Sequence, residues 1–268
     1  MTTTTHTVSI PGSAAVEVRL SVRGEGHPVL LLHGGGGPLT VTPWADLLAA
    51  AKDARVLTPV HPGFAGTQRP SSLGSVRDLA VVYAALLDVL DIENVTIVGN
   101  SMGGWIAAEM ALLGSPRVGS VVVVDAVGIE VPGHPVADFF SLSFAELAEL
   151  SYADPARYGI DPSTLPPAAL QAMAGNRAAL EAYAGRGMTD PTLRDRLGAA
   201  RVPTLVVWGE ADRIGDPDFG RAFAAAIPGA EFTLLENAGH LPQIEAPDAL
   251  VELVWSFADR QRSRSLRS

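Results

Sequence analysis

The chain has 268 residues, of which 47% are hydrophobic and 18% charged, a balance typical of a soluble globular protein with a substantial core. Its formal net charge of -10 argues against binding to nucleic acid, whose phosphates would repel it, and against a polybasic membrane anchor. The absence of cysteine excludes disulfides, a thiolate nucleophile and cysteine-ligated metal sites.

The chain begins with a polar, threonine-rich tract, residues 1–7, that we expect to be disordered. The tract has neither the basic region nor the apolar region of a signal peptide, and no hydrophobic run is long enough to span a bilayer. We therefore expect a cytoplasmic protein.

The first predicted strands differ in pattern. Ala15–Val22 alternates apolar and polar residues, which predicts an antiparallel edge strand with one solvated face. Val29–Leu32 is wholly apolar, which is typical of a strand covered on both faces. A helix over Pro43–Ala51 and a strand over Arg55–Val60 are predicted next.

A glycine-rich loop, His33–Pro38, follows the buried strand Val29–Leu32. Its four consecutive glycines, Gly34–Gly37, would let backbone N–H groups approach a ligand without obstruction by side chains. We interpret the loop as a candidate binding loop. We interpret His33 as a structural residue that hydrogen-bonds the loop into shape.

A strand, a sharp turn and a helix are predicted around Ser101, after a helix over Ser75–Leu90. Val95–Val98 is the β-branched strand, and Gly99–Gly103 has the pattern G-x-S-x-G. In that pattern a serine is held on a strand-to-helix turn, with glycines where a Cβ would clash. The turn would expose the serine hydroxyl and aim the N–H of Met102 at a developing oxyanion.

The pattern changes after the strand Val118–Val124 and its terminal Asp125. Residues 128–201 lack strand signals and combine helical and aromatic fragments, including Phe139, with several prolines. A structureless connection of this length would be unusual in a compact domain. We predict a small helical cap that is inserted after the sixth strand and lies over the site.

Strands and helices alternate again beyond the cap. The predicted strands are Val202–Trp208 and Glu231–Leu235, and the predicted helices are Asp216–Ile227 and Ala246–Asp259. Such alternation predicts a mainly parallel sheet that binds ligands at the carboxyl ends of its strands. The core domain would comprise residues 8–127 and 202–260, with the cap at 128–201 and a disordered tail at 261–268.

Three residues that follow predicted strands form a candidate catalytic triad. A serine hydroxyl needs a base to accept its proton, and the base needs an acid to orient it. Ser101, Asp212 and His240 would meet at one edge of the sheet. Along the chain they occur in the order serine, acid, histidine, which is the order of a triad built on a strand–turn–helix serine. The other histidines lie in the first tract, turns, early loops or the cap. Asp125 also ends a strand and is the alternative acid.

The chain resembles the α/β-hydrolase superfamily along nearly its whole length. The matching segments are His33–Gly37, Gly99–Gly104, Trp208–Asp212 and Gly239–His240. The resemblance implies an α/β fold with an eight-stranded, mainly parallel sheet, helices on both faces and a helical cap. It implies Ser101 as nucleophile, His240 as base and Asp212 as acid. It also implies an oxyanion hole formed by the N–H groups of Met102 and Gly35.

The residue before the serine is similar to that of the meta-cleavage-product hydrolases, which cut a carbon–carbon bond in vinylogous 1,5-diketones. Those enzymes have an asparagine at the position of Asn100. They differ from this chain in having tryptophan in place of Leu241 and a proline one place before Pro38. Their cap contributes an arginine that holds the carboxylate of the substrate. Arg177 and Arg186 are the candidates for this role here, and no motif fixes either. The residues expected to contact substrate are Gly34, Gly36, Asn100, Phe139 and Leu241.

The sequence thus predicts a serine hydrolase without cofactor or metal that acts on a small, largely apolar carbonyl compound. Hydrolysis of a carboxylic ester is the first interpretation, and carbon–carbon hydrolysis of 2-hydroxy-6-oxo-dienoates is the alternative. A cofactor-free haloperoxidase-like enzyme would use the same triad. A ligand-binding receptor on this fold would retain the triad with slow turnover. Both of these functions rank lower. The sequence leaves open whether the protein forms a homodimer.

Overall fold

The computed structural model describes residues 1–10, 12 and 14–265. Within them, eight strands form a single sheet. The strands are β1 (Thr2–Val8), β2 (Val16–Arg23), β3 (His27–Leu32), β4 (Ala54–Pro59), β5 (Val95–Asn100), β6 (Val118–Val124), β7 (Thr204–Gly209) and β8 (Glu231–Leu235). Their order across the sheet is β1-β2-β4-β3-β5-β6-β7-β8. β2 is antiparallel to β1 and β4, and β3 to β8 are mutually parallel.

Helices cover both faces of this sheet. The helices are α1 (Thr42–Ala51), α2 (Val76–Leu90), α3 (Met102–Leu113), α4 (Phe144–Ser151), α5 (Pro155–Tyr158), α6 (Pro167–Ala184), α7 (Leu193–Arg196), α8 (Pro217–Ala226), α9 (Pro242–Glu245) and α10 (Pro247–Ser265). Helices α1 and α10 pack on one face, and α2, α3 and α8 pack on the other. Among the described residues, none of these helices is both long and apolar enough to cross a membrane.

The central strands are apolar throughout because each of their faces meets a helical layer. In β3, Val29 and Leu31 belong to the core under α1 and α10, whereas Leu30 and Leu32 belong to the core under α2 and α3. Successive side chains of a strand point to opposite faces, so a strand buried on both sides needs an unbroken apolar run. The predicted α/β architecture is confirmed.

The cap occupies the stretch between β6 and β7. Its described part contains α4 to α7 and two short 3-10 turns, as predicted for a helical insertion after the sixth strand. The base of the cap is closed by a bridge between Gly128 and Thr189 and by a hydrogen bond of 2.8 Å from Asp190 N to Gly128 O. The cap therefore leaves and rejoins the sheet at neighbouring points.

Three expectations about the ends of the chain are wrong. Residues 2–8 form strand β1 and are not disordered, because β-branched threonines suit an edge strand that needs no apolar face. Consequently β2 is an inner strand between β1 and β4, not an edge strand. Helix α10 continues through 261–265 of the predicted tail, and residues 266–268 lie outside the described residues.

Candidate active site

Ser101 lies on a strained turn between β5 and α3. Its φ of 56° and ψ of -120° are unusual for a residue with a Cβ. A Cβ on Gly99 would overlap the carbonyl oxygen of Gly103, and a Cβ on Gly103 would overlap that of Leu32. Glycine is therefore required at both positions for the strand, turn and helix to approach so closely. Helix α3 starts at Met102, so its positive end is directed towards the serine.

Asp212 and His240 form a buried pair beyond β7 and β8. The Nδ1 atom of His240 donates to Oδ2 of Asp212 at 2.9 Å, and His240 and Asp212 are 8% and 1% exposed. The other carboxylate oxygen, Oδ1, accepts from the N–H of Ile214 at 2.8 Å. These bonds fix the carboxylate and select the tautomer of His240 that leaves Nε2 free of a proton. In that tautomer Nε2 can accept a proton, as a general base must.

Asp125 directly follows β6 and is fully buried, but its hydrogen-bond partner is different from that of Asp212. Its Oδ1 accepts from the N–H of Gly209 at 2.7 Å. Burial is the main cause that raises the pKa of the Asp125 carboxyl well above its usual range, and the neighbouring charge of Asp212 raises it further. Of the two candidate acids, the structure pairs Asp212 with His240.

The glycine loop lies directly against the serine. A Cβ on Gly34 would come within 2.9 Å of the Cβ of Ser101. Ser101 and His240 line one cavity of about 120 Å³ together with Gly34, Gly35 and Gly36. The N–H groups of Gly35 and of Met102 are thus carried by the two segments that meet at Ser101, as an oxyanion hole requires.

Two stacked, buried histidines hold the glycine loop on its core side. The ring centroids of His33 and His61 are 3.7 Å apart, and both side chains are fully buried. His33 Nδ1 donates to Gly34 O at 2.8 Å, while His33 Nε2 accepts from His61 N at 3.2 Å. His61 Nε2 donates to His33 O at 2.8 Å, and its Nδ1 accepts from the hydroxyl of Tyr83. The predicted structural role of His33 is confirmed, whereas the role of its partner His61 was missed because no local pattern marks the contact.

Asn100 lines the same cavity, but its amide is already hydrogen-bonded within the protein. Its Nδ2 donates to the carbonyl of His240 at 2.9 Å, and its Oδ1 accepts from Gln243 Nε2 at 3.1 Å. Asn100 therefore joins the serine turn to the histidine loop. Gln243 was missed in the sequence analysis because nothing in its neighbourhood marks a contact with a residue 143 positions earlier.

The other predicted substrate-site residues, Phe139 and Leu241, also line the cavity beside Ser101. Further wall residues that sequence reasoning missed come from the cap and the core. They are Thr40, Ser151, Leu180, Met188 and Ile214. Most of them are small or apolar, so they carry no chemical motif that would have identified them.

A larger apolar cavity of about 420 Å³ lies under the cap and shares Gly35, Gly36 and Phe139 with the first. Among its described lining residues, Arg177 alone is charged. Its Nη2 donates to Phe139 O at 3.0 Å, and its guanidinium lies 5.0 Å from the Phe139 ring centroid. Arg186 lines neither cavity and pairs with Glu181 at 3.4 Å. Only Arg177 of the two predicted arginines is therefore at the cavity wall.

Comparisons with known proteins agree with this architecture. The sequence profile of the alpha/beta hydrolase family matches residues 29–253. A 2-hydroxymuconate semialdehyde hydrolase of Pseudomonas sp. (strain CF600) is 30% identical, with 91% of each chain covered.

Two solved structures are similar in fold. One is a thermophilic esterase from Thermogutta terrifontis, with a TM-score of 0.77, 23% identity and coverage of 97% of this chain and 99% of that chain. The other is the meta-cleavage product hydrolase CumD of Pseudomonas fluorescens, with a TM-score of 0.75, 22% identity and coverage of 96% of this chain and 98% of that chain. From its sequence and its fold, the chain belongs to the alpha/beta hydrolase family and is a hydrolase.

Proposed function

We propose that the protein is a carbon–carbon bond hydrolase that cleaves 2-hydroxy-6-oxo-dienoates, the vinylogous 1,5-diketones formed in aromatic degradation. The observation that carries the proposal is the likeness, along nearly the full length of both chains, to a 2-hydroxymuconate semialdehyde hydrolase. Asn100 before the serine and Arg177 at the wall of the larger cavity support it. This proposal reverses the preference for an ester that the sequence alone suggested.

In this reaction Ser101, His240 and Asp212 would act as nucleophile, base and acid. Ser101 Oγ attacks the ketone carbonyl while His240 Nε2 accepts the hydroxyl proton, and the N–H groups of Gly35 and Met102 stabilise the oxyanion. The substrate reacts as its 2-oxo tautomer, in which the enol proton has moved to C5. When the C5–C6 bond breaks, its electron pair passes through the C3–C4 double bond into the 2-oxo group, and the dienolate that leaves takes the proton from His240 to become the 2-hydroxydienoate. Water hydrolyses the acyl group and releases a carboxylic acid.

Arg177 would hold the carboxylate of the dienoate. Arginine binds a carboxylate through charge-assisted hydrogen bonds. The apolar cavity around the guanidinium would enclose the rest of the substrate, since its other described lining residues are uncharged. A simple ester has no carboxylate and would not need this cation.

Hydrolysis of carboxylic esters is the second candidate, and Leu241 favours it. This residue lines the cavity beside Ser101 where the meta-cleavage-product hydrolases have a tryptophan. The small volume of that cavity suits a short acyl group.

A side-by-side assay tests both candidates. Purified protein, with Ser101→Ala as control, is given a 2-hydroxy-6-oxo-dienoate and a short p-nitrophenyl ester. We expect faster Ser101-dependent turnover of the dienoate. We also expect Arg177→Gln to lower kcat/KM for the dienoate about 10- to 100-fold, the value of a charged hydrogen bond, and to leave the ester rate unchanged.

Arg186→Gln is the matched control and should resemble the wild type with both substrates. Turnover of the ester alone would refute carbon–carbon hydrolysis. Equal activity in Ser101→Ala would refute the triad.

A further inference from the structure

Asn176 in the cap helix α6 bonds to the glycine loop beside Ser101. Its side chain is 7% exposed. Its Nδ2 donates to the carbonyl of Gly36 at 3.0 Å, and its Oδ1 accepts from the N–H of Ala65 at 2.8 Å. One amide therefore links three segments: the cap, the glycine loop after β3 and the loop after β4.

One face of α6 contacts these two loops. Leu180, one turn after Asn176, packs so closely on Gly35 that a Cβ there would lie 2.5 Å from Leu180 Cδ2. Tyr183 lies on the same face, and its hydroxyl donates to Pro62 O at 3.0 Å. Hence the residue whose N–H is a candidate oxyanion donor is covered by the cap on one side.

The glycine loop has few constraints of its own. Gly37 N donates to Gly34 O at 3.1 Å, which closes a turn, and Thr40 Oγ1 donates to Gly37 O at 2.8 Å, but the four glycines have no side chains of their own that could fix their peptide planes. Glycine also has the widest choice of backbone conformation, so the direction of an N–H in such a loop depends on external partners. On the side of the core, His33 Nδ1 donates to Gly34 O at 2.8 Å. On the side of the cap, Asn176 Nδ2 donates to Gly36 O at 3.0 Å. The Gly35 N–H shares a planar peptide with Gly34 O, so the His33 bond fixes its direction at one end of the loop, while the Asn176 bond fixes the peptide between Gly36 and Gly37 at the other end.

We propose that Asn176 is a positioning residue for the oxyanion hole, and that through it the cap helix anchors the far end of the glycine loop, so that the loop keeps the Gly35 N–H beside Ser101. The inference rests on the proposed function, because it assumes that Ser101 forms a tetrahedral adduct beside Gly35. Asn176 does not touch the reacting atoms and acts through the Gly36 carbonyl. A side chain that only joined the cap to the core would affect stability without affecting the reactivity of Ser101.

Asn176→Ala and Asn176→Asp separate these two roles, with Gln171→Ala as the matched control. Gln171 is an exposed amide on the same helix. The probe is an alkyl fluorophosphonate: Ser101 Oγ bonds to phosphorus, fluoride leaves and the hydroxyl proton passes to His240. The inactivation rate reports the oxyanion hole whatever the natural substrate. It is measured together with kcat and KM for the better substrate of the assay above and with thermal unfolding.

We expect Asn176→Ala to lower both the inactivation rate and kcat about 10- to 100-fold, a large part of the effect of losing one oxyanion donor, with KM changed less than about threefold. Gln171→Ala should keep the wild-type values. Asn176→Asp keeps the acceptor for Ala65 N but donates to Gly36 O only when it is protonated. The ratio of its rate to that of the wild type should therefore rise as the pH falls from about 8.5 to about 5.5, whereas the ratio for the alanine variant should stay flat.

Wild-type inactivation rates in a folded Asn176→Ala protein would overturn the inference, as would a loss matched by Gln171→Ala. If Asn176→Ala does not fold, a pH-independent ratio for Asn176→Asp would overturn it. Failure of the proposed function gives a different result, because the dienoate would then not be turned over while the probe still labelled Ser101. Labelling of Ser101→Ala as fast as the wild type would refute Ser101 as the nucleophile. Labelling that requires Ser101 but is unchanged in both Asn176 variants refutes this inference alone.

Discussion

Two buried carboxyl groups, Asp125 and Asp212, are neighbours, and their environments differ. Asp212 receives hydrogen bonds at both oxygens, from His240 Nδ1 and from Ile214 N. Asp125 is bonded at one oxygen, to Gly209 N, and its other oxygen is buried without a partner among the described residues. Burial raises the pKa of Asp125, and the charge of Asp212 raises it further. Asp125 is thus the carboxyl group whose charged form is disfavoured, and Asp212 is the one that accepts a hydrogen bond from His240.

Substitution by asparagine tests this assignment. In Asp125→Asn the new amide would keep the shape of the side chain and an oxygen for Gly209 N, and it would replace a carboxyl group whose charged form is disfavoured. We therefore expect kcat to stay within about threefold of the wild type. Asp212→Asn removes the charge that orients and stabilises the imidazolium, and kcat should fall by about 1000-fold or more. Steady-state kinetics on both folded variants check the prediction. The reverse ranking would make Asp125 the acid.

Among the secondary-structure elements, β3 and β4 are linked just beyond their carboxyl ends by the stacked rings of His33 and His61. Burial lowers the pKa of His33 to about 4 and holds the pKa of His61 well below its usual value. Both rings are neutral in the fold, where each donates one hydrogen bond and accepts another. The unfolded chain would protonate them near pH 6.5. The folded state therefore binds fewer protons than the unfolded state between pH 6.5 and about 4.

The free energy of unfolding should consequently fall as the pH falls across this window, by up to about 1.4 kcal/mol per pH unit for each histidine. Above about pH 6.5 both states are neutral and this contribution is constant. His61→Gln removes one titrating ring, so its stability should decline less steeply on acidification. Urea unfolding at about pH 7, 6 and 5 measures the slope. His6→Gln, on the edge strand β1, should keep the wild-type slope, and an unchanged slope in His61→Gln would contradict the prediction.

Local sequence signals at the ends of strands and helices decided which elements could be predicted. β6 and β8 match their predicted bounds because their apolar runs end at clear turn residues. Helix α2 starts where Ser75 and Asp78 form a capping box. β1 was missed because an edge strand of threonines has no apolar face. The helices of the cap were predicted only as a group, since prolines interrupt them and no long amphipathic pattern sets their limits.

The site was predictable only where chemistry and strand ends coincide. Ser101 follows β5, while Asp212 and His240 follow β7 and β8, so the sheet topology brings them to one edge. Asn176 and Gln243 could not be found in this way. Their contacts join residues 140 and 143 positions apart, and an amide in a helix has no pattern that announces its partner.

On the scale of the whole molecule, a buried ion pair ties the base of the cap to the helix that begins beside Ser101. Arg196 in α7 contacts both carboxylate oxygens of Glu109 in α3, at 2.8 and 2.6 Å, and Asp190 at 2.7 Å. The Glu109 side chain is 2% exposed and that of Arg196 is 27% exposed. A charge so deeply buried depends on its partner, because removal of the partner leaves an uncompensated carboxylate in the core.

Arg196→Met should therefore destabilise the protein by about 3 kcal/mol. The double variant Glu109→Leu/Arg196→Met should cost much less than the sum of the single variants, since it removes the unpaired charge together with its partner. Urea unfolding of the four proteins in this cycle gives the coupling energy. Arg221→Met is the matched control. Arg221 pairs with Asp218 at 3.5 Å on the surface, where both side chains are more than half exposed, so its loss should cost about 1 kcal/mol or less. If Arg196→Met cost no more than Arg221→Met, the ion pair between Arg196 and Glu109 would not stabilise the attachment of the cap to the core.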